Sequence, residues 1–99
     1  MGFFSSSPKR ITEKELKGTT FSSGIYGAMR SGEHKLTDHK FDNFKAIVSG
    51  AMDEDRASGK NWSGITEKEI DTIKEQMKTS GEFNEHQIAK AEEHFRSKL

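Results

Sequence analysis

Ile11-Thr12-Glu13-Lys14-Glu15-Leu16 returns, with only its last residue changed, as Ile65-Thr66-Glu67-Lys68-Glu69-Ile70. Each copy carries three signals of a helix start. Thr12 and Thr66 are N-caps, residues whose hydroxyl satisfies the first free backbone N–H groups of a helix. Glu15 and Glu69, three residues on, reach back to the N–H of the cap and complete a capping box. Ile11 and Ile65, just ahead of the caps, close over Leu16 and Ile70 as hydrophobic staples.

Two further starts extend the pattern. Leu36-Thr37-Asp38-His39-Lys40-Phe41 has the cap and a Leu36/Phe41 staple but lysine at the box position, so half the device is present. Phe83-Asn84-Glu85-His86-Gln87-Ile88 has an Asn cap, Gln at the box position and a Phe83/Ile88 staple. Helical apolar stripes follow each of these starts. Phe41, Phe44, Val48 and Ala51 form the best of them, on a helix predicted to run to about Met52. Ile70, Ile73 and Met77 lead to a stop at Ser80-Gly81, and Ile88, Ala91, Phe95 and Leu99 make the last stripe, supported by a Glu92/Arg96 pair. The helix begun at Thr12 is different, because Gly18-Thr19-Thr20 predicts a break. Ser22 or Ser23 can restart it, with Phe21, Ile25 and Met29 on one face and a stop at Ser31-Gly32.

These signals predict an all-α protein of two helix-turn-helix pairs, about four main helices, packed as one small domain. A tail, residues 1–10, precedes a helical domain over 11–99. Two related units, 11–52 and 65–99, are joined by a polar loop over 53–64. The starts lie 25 residues apart in the first unit and 18 in the second, and the surplus falls in the Gly/Ser-rich stretch 18–27. That stretch is read as an insertion, helical or loop.

Composition narrows the function classes. Leu, Ile, Val and Phe make 18 of 99 residues, which implies a thin core, while 16 basic and 16 acidic side chains cancel, which argues against disorder driven by charge. Residues 1–50 carry a net +3 and residues 51–99 a net −3. Opposite halves favour packing against each other or pairing of two copies, and neither is basic enough for nucleic acid. Zero cysteines exclude disulfides and thiolate metal sites. No apolar run reaches membrane-spanning length, and Met-Gly-Phe-Phe-Ser-Ser-Ser-Pro lacks the apolar core of a signal peptide, so a cytoplasmic location is expected.

An apolar residue, a cap, two polar residues, an acid and an apolar residue is also how the second half of an EF-hand reads, and Ile65-Thr66-Glu67-Lys68-Glu69-Ile70 resembles that half. The resemblance implies an EF-hand-like helix pair in which the acid at the box position binds calcium. The first, third and fifth loop positions ahead of Ile65 are, however, Ser58, Lys60 and Trp62, where calcium needs Asp or Asn oxygens. The frames before Ile11, Leu36 and Phe83 are no better, so degenerate EF-hand-like pairs without calcium loops are expected. The chain is also similar to small, mostly uncharacterised helical proteins of bacteria that begin near Arg-Ile-Thr-x-x-Glu and carry a second Gly-Ile-x-x-x-Glu-Ile start. That likeness implies a fold and no activity.

Candidate chemistry is sparse. His34 and His39 straddle a helix start, His86 and His94 stand eight apart on one helix, and no pair has the spacing of zinc ligands. There is no phosphate loop, dinucleotide glycine pattern, serine elbow or cysteine nucleophile. No catalytic, metal or cofactor residues are therefore assigned. The expected function is a non-catalytic protein-interaction module that binds a protein partner or itself, without nucleic acid, membrane or calcium. The alternative is a divalent-metal-responsive protein of EF-hand type, with a small enzyme third. The expected partner surface is bordered by Phe21, Ile25, Tyr26 and Trp62, aromatic or aliphatic residues on the stretches of poorest intrinsic helicity.

Overall fold

The computed structural model describes residues 10–20, 23–57 and 64–99, with the backbone alone over 53–57. The two copies of the repeated motif lie side by side. Ile11 pairs with Ile65 in an antiparallel register that also sets Arg10 against Thr66 and Thr12 against Gly64, making strands β1 (Arg10–Thr12) and β2 (Gly64–Thr66). The sequence gives a physical reason for this two-stranded sheet. An N-cap residue is itself extended, as Thr12 (φ −80°, ψ 163°) and Thr66 (φ −91°, ψ 173°) are, and β-branched neighbours favour the pleated conformation. Both isoleucines are buried, at 0% and 1% exposure.

A helix leaves each strand. Helix α1 (Glu13–Lys17) starts from a complete capping box, with Thr12 N donating to Glu15 Oε1 at 2.9 Å and Glu15 N donating to Thr12 Oγ1 at 3.2 Å. Helix α4 (Glu67–Ser80) starts with Thr66 N donating to Glu69 Oε1 at 2.8 Å. Helix α5 (Glu85–Ser97) has Asn84 and Gln87 bonded reciprocally, at 3.1 and 2.8 Å. At helix α3 (Asp38–Ala57) the cap is weaker, a single bond of 3.4 Å from Lys40 N to Thr37 Oγ1, as lysine at the box position requires.

The structure sharpens one expectation and corrects another. First, the stretch 18–27, read as an insertion that is helical or loop, runs into helix α2 (Gly24–Met29) and adds to the core: Ile25 is 1% exposed, and Met29, just beyond the stretch, 0%. The break at Gly18 is real, with φ +74°, and Gly24 has φ +75°. A Cβ on Gly18 would stand 2.1 Å from Ser23 Oγ and 2.7 Å from Gly24 N, and one on Gly24 would stand 2.5 Å from Gly18 N. The chain thus folds α2 back onto α1 with backbone against backbone, an approach that only glycine allows. Second, α3 continues five residues past Met52, through the first part of the segment read as a loop.

The helices pack as α1 on α2, α4 on α5, and α3 on both α4 and β2, with α2 also against α5. The first helix pair is therefore α1 with α2, and α3 is the long connector that carries the chain to β2. Phe44, Val48, Leu16, Ile70, Ile73, Met77 and Phe95 fill the space between, and the Phe44 and Phe95 rings lie 6.0 Å apart. Arg96 on α5 ties the second pair together, bonded to Glu92 at 2.9 Å, to Glu67 at 3.1 Å and to Asp71 at 2.9 Å.

Candidate functional site

Helices α1, α2 and α3 leave a groove of about 610 Å³, lined by Lys17, Thr20, Tyr26, Arg30, Asp38, Phe41, Asp42 and Lys45. Its floor is aromatic. The half-buried rings of Tyr26 and Phe41 meet edge to face, with centroids 5.4 Å apart and planes at 87°, and Tyr26 meets buried Phe44 in the same way at 6.0 Å. Such contacts stabilise a ring pair beyond its area burial. The position of Phe41 follows from the helix start: as the staple partner of Leu36 it stands at the edge of the apolar stripe, packed on one side and open on the other.

Charge surrounds this floor. The Arg30 guanidinium lies 5.0 Å from the Phe41 ring centroid and Lys45 Nζ lies 4.9 Å from it, both within cation–π range. Each cation of the rim also has an acid: Arg30 with Asp38 at 2.5 Å, Lys45 with Asp42 at 3.7 Å and Lys17 with Glu13 at 2.8 Å. Burial, and to a lesser degree Glu13, pushes the Tyr26 hydroxyl up to about 12. The phenol therefore stays neutral well above the physiological range, and its contacts in the groove are those of its ring. No histidine stands among the described lining residues. What the groove offers is shape, apolar surface and a neutralised rim.

A second hollow, of about 500 Å³, lies where the segment after α2 meets α5, lined by residues that include His34, His86, Lys90, Glu93 and His94. The structure brings His34 and His86 face to face, with centroids 4.6 Å apart and planes at 12°. Among the described residues no group of three or more His, Asp or Glu converges to hold a metal ion.

Of the residues expected to border a partner surface, Phe21 and Trp62 lie outside the described residues. Ile25 is a core residue at 1% exposure, so its place on a binding surface is corrected: its face of α2 turns inward toward α1 and α5. Tyr26, its neighbour, is part of the groove's aromatic floor. The sequence reading missed Arg30, Phe41 and Lys45. The available signal was the three-residue spacing of Phe41 and Phe44, which places one ring at the stripe's centre and the other at its edge. Among the described residues no helix is long and apolar enough to cross a membrane. Set against known protein families, curated proteins and solved structures, the chain matches none.

Proposed function

We propose that this chain is a non-catalytic helical module that binds another protein or a second copy of itself, and that the Tyr26–Phe41 groove is the docking surface. The observation that carries the reading is the open aromatic floor: two half-buried rings in a hollow whose rim charges are already paired. Aromatic anchors in a concave site ringed by polar groups are the usual core of a protein interface. Paired rim charges lower the cost of desolvation, because no lone ion is stripped of water when a partner settles.

The test compares captured partners and self-association for wild type, Lys45→Glu and Phe41→Ala, with Gln76→Ala on exposed α4 as control. Lys45→Glu alters the rim without touching the core, so a folded variant that loses the partner supports the groove. Retention of every partner, and of any dimer, by both groove variants while each stays folded refutes it.

A second reading is a divalent-metal-responsive protein of EF-hand type. The observation in its favour is that two EF-hand-like cap motifs lie paired through Ile11 and Ile65, each with its box glutamate at the start of the exiting helix. Against it, Glu15 and Glu69 spend a carboxylate oxygen on the cap. Millimolar calcium should leave the melting temperature unchanged, because a ligand that binds only the folded state must raise it. A rise that Glu69→Gln abolishes would put the metal reading first.

A further inference from the structure

Residues 1–9 lie ahead of β1, and their composition matches the groove. Met1-Gly2-Phe3-Phe4-Ser5-Ser6-Ser7-Pro8 holds no Asp, Glu, Lys or Arg, and its phenylalanines stand side by side. The groove is the complementary case. Its floor is the edge-to-face pair of Tyr26 and Phe41, both half-buried, which leaves ring surface for a further ring to meet. Its rim cations Lys17, Arg30 and Lys45 already face Glu13, Asp38 and Asp42, so an occupant need bring no counter-charge.

The chain enters the fold beside this rim. Glu13 opens α1 and is ion-paired at 2.8 Å with Lys17, the lining residue at the other end of that helix. Arg10, Ile11 and Thr12 alone separate Glu13 from Lys9, so residues 1–9 begin within about 14 Å of chain from the rim. From Phe3 to Glu13 the chain reaches up to about 35 Å. Helix α1 is only about 8 Å long, so that reach is ample to turn back along it and set either ring on the floor. Ser5-Ser6-Ser7-Pro8 supplies residue types that favour the turn this requires. A tether this short also gives the segment an effective concentration in the millimolar range, an advantage that no outside occupant has.

We propose that the Tyr26–Phe41 groove is an intramolecular docking site for residues 1–9, with Phe3 or Phe4 against the aromatic floor. An outside partner must then displace the segment, and its apparent affinity is lowered to the fraction of chains whose groove is free. This inference rests on the reading of the groove as a docking surface and adds what governs access to it.

An isotope-labelled full chain carrying Ser5→Cys has a single thiol, since the chain has no cysteine of its own, and a nitroxide placed there weakens the amide signals of residues it approaches. The amides of Tyr26, Phe41 and Lys45 should lose intensity, those of Ala89 and Glu93 at the second hollow should keep theirs, and dilution should not alter the pattern. Phe3→Ser combined with Phe4→Ser, in the same spin-labelled chain, should restore the groove signals. Full groove intensity in the parent chain overturns the proposal. So does an equal loss in the double serine chain, which would reflect the tether alone. A loss seen only when spin-labelled chain is mixed with isotope-labelled chain lacking the nitroxide also overturns it, because the occupant is then a second copy. The docking surface is judged separately, by partner capture with Phe41→Ala and Lys45→Glu: the segment can be absent from the groove while those variants lose the partner, or present while they retain it.

Discussion

Truncating Ile65 tests whether the paired caps are the centre of the fold. Ile65 is 1% exposed and sits opposite Ile11, itself 0% exposed, in the β1–β2 register. Ile65→Ala removes three carbons, worth about 0.8 kcal/mol each in transfer, and leaves a cavity that the two short strands can close only in part. The expected loss is about 3 kcal/mol, out of a total stability of roughly 5–15 kcal/mol for a domain of this kind. Ile65→Val, which removes one carbon, should cost about 1 kcal/mol. Directly opposed side chains share their packing, so Ile11→Ala and Ile65→Ala together should cost less than their sum, by roughly 0.5–1 kcal/mol.

Urea unfolding followed by far-UV circular dichroism measures all four variants, with an unchanged slope as the check that only stability has moved. Thr12→Ala supplies the comparison. It removes the cap of a five-residue helix and should cost only about 1 kcal/mol. The reasoning fails if Ile65→Ala costs less than about 1 kcal/mol, or if the two alanine substitutions add without coupling. Either result would mean that the cap motifs are local helix starts that happen to be adjacent.

Glycine substitutions should separate in sign: Gly18→Ala and Gly24→Ala lower the melting temperature, because each Cβ meets backbone within 2.7 Å at a positive φ, while Gly50→Ala, mid-helix with nothing within 4 Å, raises stability by about 0.5–1 kcal/mol. Hydrogen bonds from Arg96, then Lys74, hold the Glu92 carboxyl below its ordinary 4.5, so its contribution is present above that value and lost as pH falls through the lowered one. Glu92→Gln should therefore weaken the protein at neutral pH, and by less as pH falls below 4.5, read from urea midpoints across that range. Tyr26 is the only tyrosine, so the ultraviolet absorbance of its phenolate reports it directly and should titrate near 12 in the folded protein. Because that value lies above the ordinary 10.0, the associated stability is complete below about pH 10 and lost as pH rises through 12; Tyr26→Phe should flatten this alkaline decline.

What the sequence made legible were the features written within a few neighbouring residues. All four starts, at Thr12, Thr37, Thr66 and Asn84, lie immediately ahead of helices, and even the half-formed device at Thr37 has its weak bond. Helix α2 was less legible. Its six residues, Gly24–Met29, include two glycines and favour helix poorly, and a helix so short is held by packing rather than by propensity. Ile25 and Met29 supply that packing, and only contact with α1 and α5 reveals it. The β1–β2 pairing was implicit in the extended geometry of the caps, yet no single motif states that its partner is its own copy.

The candidate site was harder to see, and for a different physical reason. Periodicity says which face of a helix turns inward; it does not say whether another element covers the edge of that face. Phe44 and Phe41 illustrate the limit: three residues apart on one stripe, the first is at 0% exposure, while the second is half-buried and lines a groove. The histidines obey the same logic. Spacing along α5 compares His86 only with His94, whereas the ring that His86 meets, that of His34, belongs to a segment 52 residues earlier whose Ser31 and Glu33 carbonyls accept from Lys90 Nζ. The edge of a stripe and a partner across the fold are where Phe41 and His34 lie. Substitution at Phe41 is thus expected to change partner capture more than stability.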